Sequence, residues 1–153
     1  MIPSILGNSP ASFVSRTFNL KGPLSAPTLA CATGAYAIGE AFRYLADERN
    51  EGCDVVLAGA TEAPISAPSI VGFSRVGALA VGFNDKAVEA SKPFCQNRNG
   101  FVMGEGAGVM VLERLEAAKK RNAQIFAEVV GFASCSDAHH PTAPDPNGRG
   151  AKE

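Results

Sequence analysis

From residue 35 onward the apolar positions fall at helical spacing. Ile38, Phe42 and Leu45 share one face, while Ala37, Ala41 and Tyr44 occupy another. A helix that is apolar on most sides belongs in an interior, so the pattern predicts a buried helix over residues 35–49. It turns charged at Asp47, Glu48 and Arg49 and stops at Asn50 and Gly52, residues that suit a C-terminal cap. Residues 53–59 form a short apolar run of the kind used in central strands. Residues 107–112 and 125–133 read as two more strands, and residues 24–30 as another leading into the helix. Residues 113–121 predict a short polar helix with Lys119, Lys120 and Arg121 at its C-terminal end, where the helix dipole favours cations. Pro3, Gly7 and Pro10 predict an irregular lead-in over the first twenty residues. Residues 60–99 read as irregular around Pro64, Pro68 and Pro93, with a helix over 69–76. The tail from Ser134 through Gly148 reads as loop and turn. Strands alternating with helices predict an α/β fold with a mostly parallel sheet, and the chain has no internal repeat.

Composition narrows the classes. The 153 residues suffice for one domain, and 46% are apolar, which predicts a packed interior rather than disorder. A net charge of -1 gives no reason to expect nucleic-acid binding. No apolar run is long enough for a membrane span, and the N-terminus lacks the order of a signal peptide. The four cysteines, Cys31, Cys53, Cys95 and Cys135, form no Cys-x-x-Cys pair. That spacing supports neither a metal site nor a disulfide framework and fits a reducing compartment.

Cys31 carries the strongest chemical signal. It lies in Ala30-Cys31-Ala32-Thr33-Gly34, where the strand-like run gives way to the helix. Backbone N–H groups and the dipole at a helix N-terminus favour a negatively charged sulfur. Small neighbours leave the sulfur approachable. A buried structural cysteine is the competing reading, since free cysteines are among the most buried residues.

The remaining motifs are weaker. Gly104-Glu105-Gly106-Ala107-Gly108 invites a dinucleotide-binding reading, but that chemistry needs glycines between a strand and a helix. Here they lead into a strand, so close backbone packing at the strand's start is the better explanation. Asp137, His139 and His140 form a polar cluster in the tail. A histidine there could pair with Cys31 as its base, although a loop holding two adjacent histidines by chance accounts for the pattern equally well. Phe73 after Gly72, and Phe101 between Gly100 and Gly104, read singly as core aromatics.

Taken together, four stretches resemble the elongating β-ketoacyl-acyl carrier protein synthases, condensing enzymes of the thiolase superfamily. They are LKGPLSAPTLACATGAYAIGEAFRYLA, DVVLAGATEAPISAPSIVGFSR, KPFCQNRNGFVMGEGAGVMVLERLEAAKKR and IFAEVVGFASCSDAHHPTAPDPNG. The likeness runs from about Lys21 onward and is closest to the bacterial and mitochondrial type. It implies a partial thiolase-like fold: residues 21–122 as the nucleophile half, with its helix packed on mostly parallel strands, and residues 123–153 as the start of a second half. It also implies that Cys31 accepts a fatty acyl group from acyl carrier protein, with its N–H as half of an oxyanion hole. Phe73 would line the acyl pocket, and Phe101 would stand beside the sulfur on the malonyl side. Residues 136–142, with Asp137 and His140, would form a gating loop, and Thr142 would lie near the phosphopantetheine arm. The implied partners are acyl carrier protein and, in the full-length enzyme, a second copy. No cofactor and no metal are implied, and the compartment would be cytoplasm or mitochondrial matrix.

The chain also departs from that family pattern. The family's catalytic histidines, its lysine and its Gly-Phe-Gly-Gly turn have no counterpart among these residues. A carrier-docking arginine aligns with Gly77, although Arg75 stands nearby. The sequence therefore predicts a chain whose parent enzyme condenses acyl and malonyl groups but which does not condense alone. A non-catalytic truncated product or dimerisation module is one alternative. A thioester hydrolase using Cys31 and His140 is another.

Overall fold

The computed structural model describes residues 6–50 and 52–152; the first five residues of the expected lead-in lie outside them. Two units emerge, one made of residues 1–60 and 109–153, the other of residues 61–108.

In the first unit, the expected interior helix is α2 (Thr33–Ala46), following α1 (Ser9–Thr17) and a single 3-10 turn, Ala30–Ala32. Gly39, Ala41 and Leu45 are its buried positions. Tyr36, Gly39 and Arg43 share one face at i, i+3 and i+7, and that face holds the ring of Phe132. Tyr36 meets the ring edge-on at 5.7 Å, and the Arg43 guanidinium lies 4.8 Å over it. The ring occupies the space a Cβ on Gly39 would need. Two terms oppose each other in Gly39→Ala. Helix propensity gains about 1 kcal/mol, whereas overpacking costs about 1–3 kcal/mol, and ring and methyl cannot share the position. We expect Gly39→Ala to release Phe132 and accelerate amide exchange at residues 131–133, measured by hydrogen–deuterium exchange; unchanged protection would contradict this packing.

After α2 the chain turns through a 3-10 segment, Glu48–Asn50, into strand β1 (Val55–Glu62). Arg114 holds this turn, donating from its guanidinium to the carbonyls of Cys53 (3.2 Å), Asp47 (3.2 Å) and Asn50 (3.4 Å). Arg49 clasps Asp47 with side-chain and backbone hydrogen bonds and lowers that carboxyl from its ordinary 3.8 to about 2. With the folded value depressed, this exposed clasp is complete above pH 3.8 and is lost as pH falls through about 2.

Strand β2 (Gly106–Glu113) pairs with β1 in a two-stranded sheet. The Arg114 N–H, just past the end of β2, donates to the Asp54 carbonyl, just before β1, at 2.9 Å. The end of one strand thus meets the start of the other, so the pair is antiparallel. The expectation of mostly parallel strands is corrected here: residues 63–105 return the chain to the same end of the sheet instead of crossing over it. Residues 24–30 and 125–133 form no strand. A strand needs a ladder partner, and neither segment has one among the described residues. In the first unit α4 (Leu115–Lys120) follows β2, and a last turn, α5 (Arg149–Lys152), follows the tail read as loop. The lead-in is not wholly irregular either: Pro10 sits in the first turn of α1, where its fixed φ and missing N–H suit a helix start.

The second unit contains α3 (Ala67–Arg75), close to the expected helix, and a short parallel bridge between Leu79 and Phe101.

Burial is sparse. The apolar core positions are Ala41, Leu45, Ala58, Ala90 and Ala118, and among the described residues no large side chain is fully enclosed. The solvent-accessible surface is 12347 Å², against about 7300 Å² expected of a folded monomer of this mass. Phe126 (88%), Val130 (86%) and Phe94 (101%) face solvent outright.

Candidate active site

Cys31 occupies the centre of the 3-10 turn that opens into α2, and its side chain is exposed. The competing reading of a buried structural cysteine does not hold. Backbone conformation explains the exposure. Ala30, the residue before it, has φ +47°, a left-handed conformation that costs a residue with a Cβ about 1–2 kcal/mol. The Thr33 side chain spans this kink. Its hydroxyl donates to the Ala30 carbonyl at 2.8 Å and accepts the Leu29 N–H at 2.8 Å. The Ala32 N–H donates to the Leu29 carbonyl at 3.0 Å. Cys31 is therefore the outer residue of a tight turn closed on both sides. Its N–H belongs to the first turn, where backbone donors lack intrahelical acceptors. Thr33 was not singled out in the sequence, although a hydroxyl two residues past a nucleophile at a helix start signals local side-chain capping.

Phe73 and Phe101, both of the second unit, come together edge-on, with ring centres 5.2 Å apart. The backbone builds this pair. Gly77 (φ +72°) ends α3 in the left-handed conformation, letting the Ala78 N–H reach the Phe73 carbonyl (3.1 Å) and the Gly77 N–H reach the Ser74 carbonyl (3.0 Å). The Ala78 carbonyl then accepts the Phe101 N–H at 2.9 Å. The side-chain amide of Asn99 extends the register, accepting the Val81 N–H (3.0 Å) and donating to the Val81 carbonyl (3.1 Å). Gly100 has φ +96° and lies against the backbone of residues 78–80. Alanine there meets both a conformational cost of about 1–3 kcal/mol and direct backbone overlap. Gly100→Ala is expected to separate the two rings, seen as loss of the inter-ring NMR contact; a retained contact would contradict this register.

The Gly104–Gly108 motif does lead into β2, the order that disfavours nucleotide binding. Glu105 accepts the Ile65 N–H at 3.0 Å, tying together two parts of the second unit. The expected close packing around the glycines is absent: a Cβ at Gly104, Gly106 or Gly108 would meet nothing within 4 Å. These glycines lie on an open face.

The histidine loop is internally braced. Nδ1 of His140 accepts the N–H groups of Thr142 (3.2 Å) and Ala143 (3.1 Å). That nitrogen is the acceptor in both bonds. Asp137 accepts the Asp145 N–H at 2.9 Å; buried Asp145 in turn accepts the Asn147 N–H (2.7 Å) and Nε of Arg149 (2.7 Å). Residues 135–144 line an open cleft. Cys31 is not among them, and no hydrogen bond joins it to either histidine among the described residues. The Cys31–His140 hydrolase pair is therefore not assembled. Among the described residues no group of three His, Cys, Asp or Glu side chains could hold a metal, and no helix is long and apolar enough to cross a membrane.

Residues 1–118 fit the β-ketoacyl synthase, N-terminal domain, including the lead-in before Lys21. The mitochondrial 3-oxoacyl-[acyl-carrier-protein] synthase of Arabidopsis thaliana is 48% identical over 98% of this chain and 32% of its own length. The 3-oxoacyl-[acyl-carrier-protein] synthase 2 of Staphylococcus aureus is 45% identical over 97% of this chain and 36% of its own. The chain thus spans about a third of the length of these curated relatives. Among solved structures, a type II PKS acyl-carrier protein in complex with its ketosynthase bound to the hexaketide aligns with TM-score 0.84 at 37% identity, covering 91% of this chain and 33% of that one. A β-ketoacyl synthase from Burkholderia phymatum STM815 aligns with TM-score 0.76, also at 37% identity, over 86% and 31%. The fold is a partial thiolase-like α/β domain, and the chain belongs to the β-ketoacyl synthase family.

Proposed function

We propose that Cys31 is the acyl-accepting nucleophile of a fatty-acid-elongating condensation. The observation that carries the reading is an exposed thiol held on a closed, left-handed turn at the mouth of an α-helix, within a chain of this family. The thiolate attacks the thioester carbonyl of an acyl group borne on acyl carrier protein. The tetrahedral oxyanion is met by N–H donors, that of Cys31 among them. Its collapse breaks the carbon–sulfur bond, and the carrier's thiolate leaves and takes a proton. Malonyl on a second carrier then loses carbon dioxide. The carbanion attacks the Cys31 thioester, forms the new carbon–carbon bond and returns the thiolate. The product is a 3-oxoacyl carrier.

The second unit holds the edge-on Phe73–Phe101 pair, for which the family resemblance implies contact with the acyl chain (Phe73) and with malonyl (Phe101). Phe101 borders an open cleft that also carries Lys92 and Arg98, cations of the sign that malonyl carboxylate or phosphopantetheine phosphate requires. Residues 136–142 gate the site, with Asp137 and His140 bracing the loop and Thr142 beside the carrier's arm. Arg75, at the end of α3, is the cation left for carrier docking, since Gly77 serves the helix cap. The test is an intact-mass measurement after incubation with a fatty acyl carrier protein. A mass gain of one acyl group, blocked by prior iodoacetamide treatment, is expected; a gain that survives alkylation would place the acyl group elsewhere.

One observation favours a second reading, that of a non-catalytic chain: the solvent-facing Phe94, Phe126 and Val130 and the large accessible surface. Unmasked apolar surface favours association over independent folding. Sedimentation and intact mass together separate the two readings: a monodisperse dimer that accepts no acyl group would support a binding module, whereas an acylated chain supports the catalytic reading.

A further inference from the structure

We propose that Thr33 is a positioning residue for Cys31, acting through the backbone rather than on substrate. This rests on the nucleophile reading above and extends it to a residue that does not touch the reacting atoms. The geometry is specific. Ala30 is held at φ +47°, a conformation a residue with a Cβ leaves readily unless something closes it. The Thr33 hydroxyl closes it from both sides, with the Leu29 N–H and the Ala30 carbonyl each 2.8 Å away. Its single proton goes to the Ala30 carbonyl and a lone pair takes the Leu29 N–H. Both polar functions of Thr33 are thus directed into the turn that carries Cys31, between the residue that bends and the helix that begins. Without the hydroxyl, Ala30 relaxes toward negative φ. The sulfur and the Cys31 N–H then lose their fixed relation to the first turn of α2, and the thiol becomes an ordinary mobile one.

The test uses the whole chain and iodoacetamide, following alkylation of each cysteine by peptide mass spectrometry. Cys95 and Cys135, which are also exposed, serve as internal standards. In the unaltered chain Cys31 reacts faster than Cys95. Thr33→Val, which keeps the shape but lacks the hydroxyl, is expected to slow Cys31 about tenfold relative to Cys95, the scale on which modest misplacement of a reacting group acts. Thr33→Ser restores the hydroxyl and is expected to recover most of the rate, which a purely packing role for the threonine methyl would not produce. A fast Cys31 left unchanged by Thr33→Val, or a Thr33→Ser variant as slow as Thr33→Val, overturns the positioning role alone. If Cys31 reacts no faster than Cys95 in the unaltered chain, both the nucleophile reading and the positioning role fall.

Discussion

Cys31→Ser is expected to reduce covalent acylation of the chain by at least about a thousandfold, the scale on which loss of a nucleophile acts in covalent catalysis. The expectation follows from chemistry and from place. A serine hydroxyl at the same turn keeps the size and exposure of the side chain but is far less acidic than a thiol. Among the described residues no histidine hydrogen-bonds to Cys31, and His140 Nδ1 is engaged by the N–H groups of Thr142 and Ala143. A sulfur is intrinsically far more nucleophilic toward a thioester than a hydroxyl oxygen that has no base to activate it. The substitution should leave α2 intact, because its buried positions are Gly39, Ala41 and Leu45. Intact-mass analysis after incubation with a fatty acyl carrier protein, with circular dichroism as the check on folding, gives the answer. Acylation of a folded Cys31→Ser chain at an undiminished level would show that the acyl group goes elsewhere.

The second large effect concerns condensation. Given acyl and malonyl carrier proteins together, the isolated chain is expected to yield no detectable 3-oxoacyl product. Decarboxylation leaves an enolate whose charge must be met as it forms, and each preorganised donor removed from such a site costs about a hundred- to a thousandfold in rate. The chain has two histidines, His139 and His140. His140 is committed to its own loop, and neither bonds to Cys31 among the described residues. Product analysis by mass spectrometry checks this. A 3-oxoacyl product from the purified chain, lost in Cys31→Ser, would mean that donors within residues 1–153 suffice.

The elements legible in the sequence are those whose signals are local. Helix α2 shows its apolar period, β1 and β2 show short apolar runs bounded by glycine, and α4 shows its terminal cations. Each depends on neighbours within a few residues. Residues 24–30 and 125–133 carry the same strand-like composition yet form no strand, because strand formation depends on a partner elsewhere in the chain. Phe132 instead packs its ring onto Gly39, a contact no periodicity announces. Helix α1 is not legible because a proline such as Pro10 signals interruption and helix initiation alike; here it initiates. At the site, Cys31 stood out from its junction alone. The pairing of Phe73 with Phe101 depends on two left-handed glycines, Gly77 and Gly100, whose conformations composition does not disclose. The same holds for Ala30. Its left-handed φ is bridged by the Thr33 hydroxyl, and nothing in an alanine signals it.

The most direct measurement is to digest the chain after exposure to an isotopically labelled acyl carrier protein and locate the label among the four cysteine-containing peptides. Label confined to the peptide bearing Cys31 is the expected result. Label spread over the exposed Cys95 and Cys135 as readily as over Cys31, or absent from Cys31, would contradict its assignment as the point of acyl attachment.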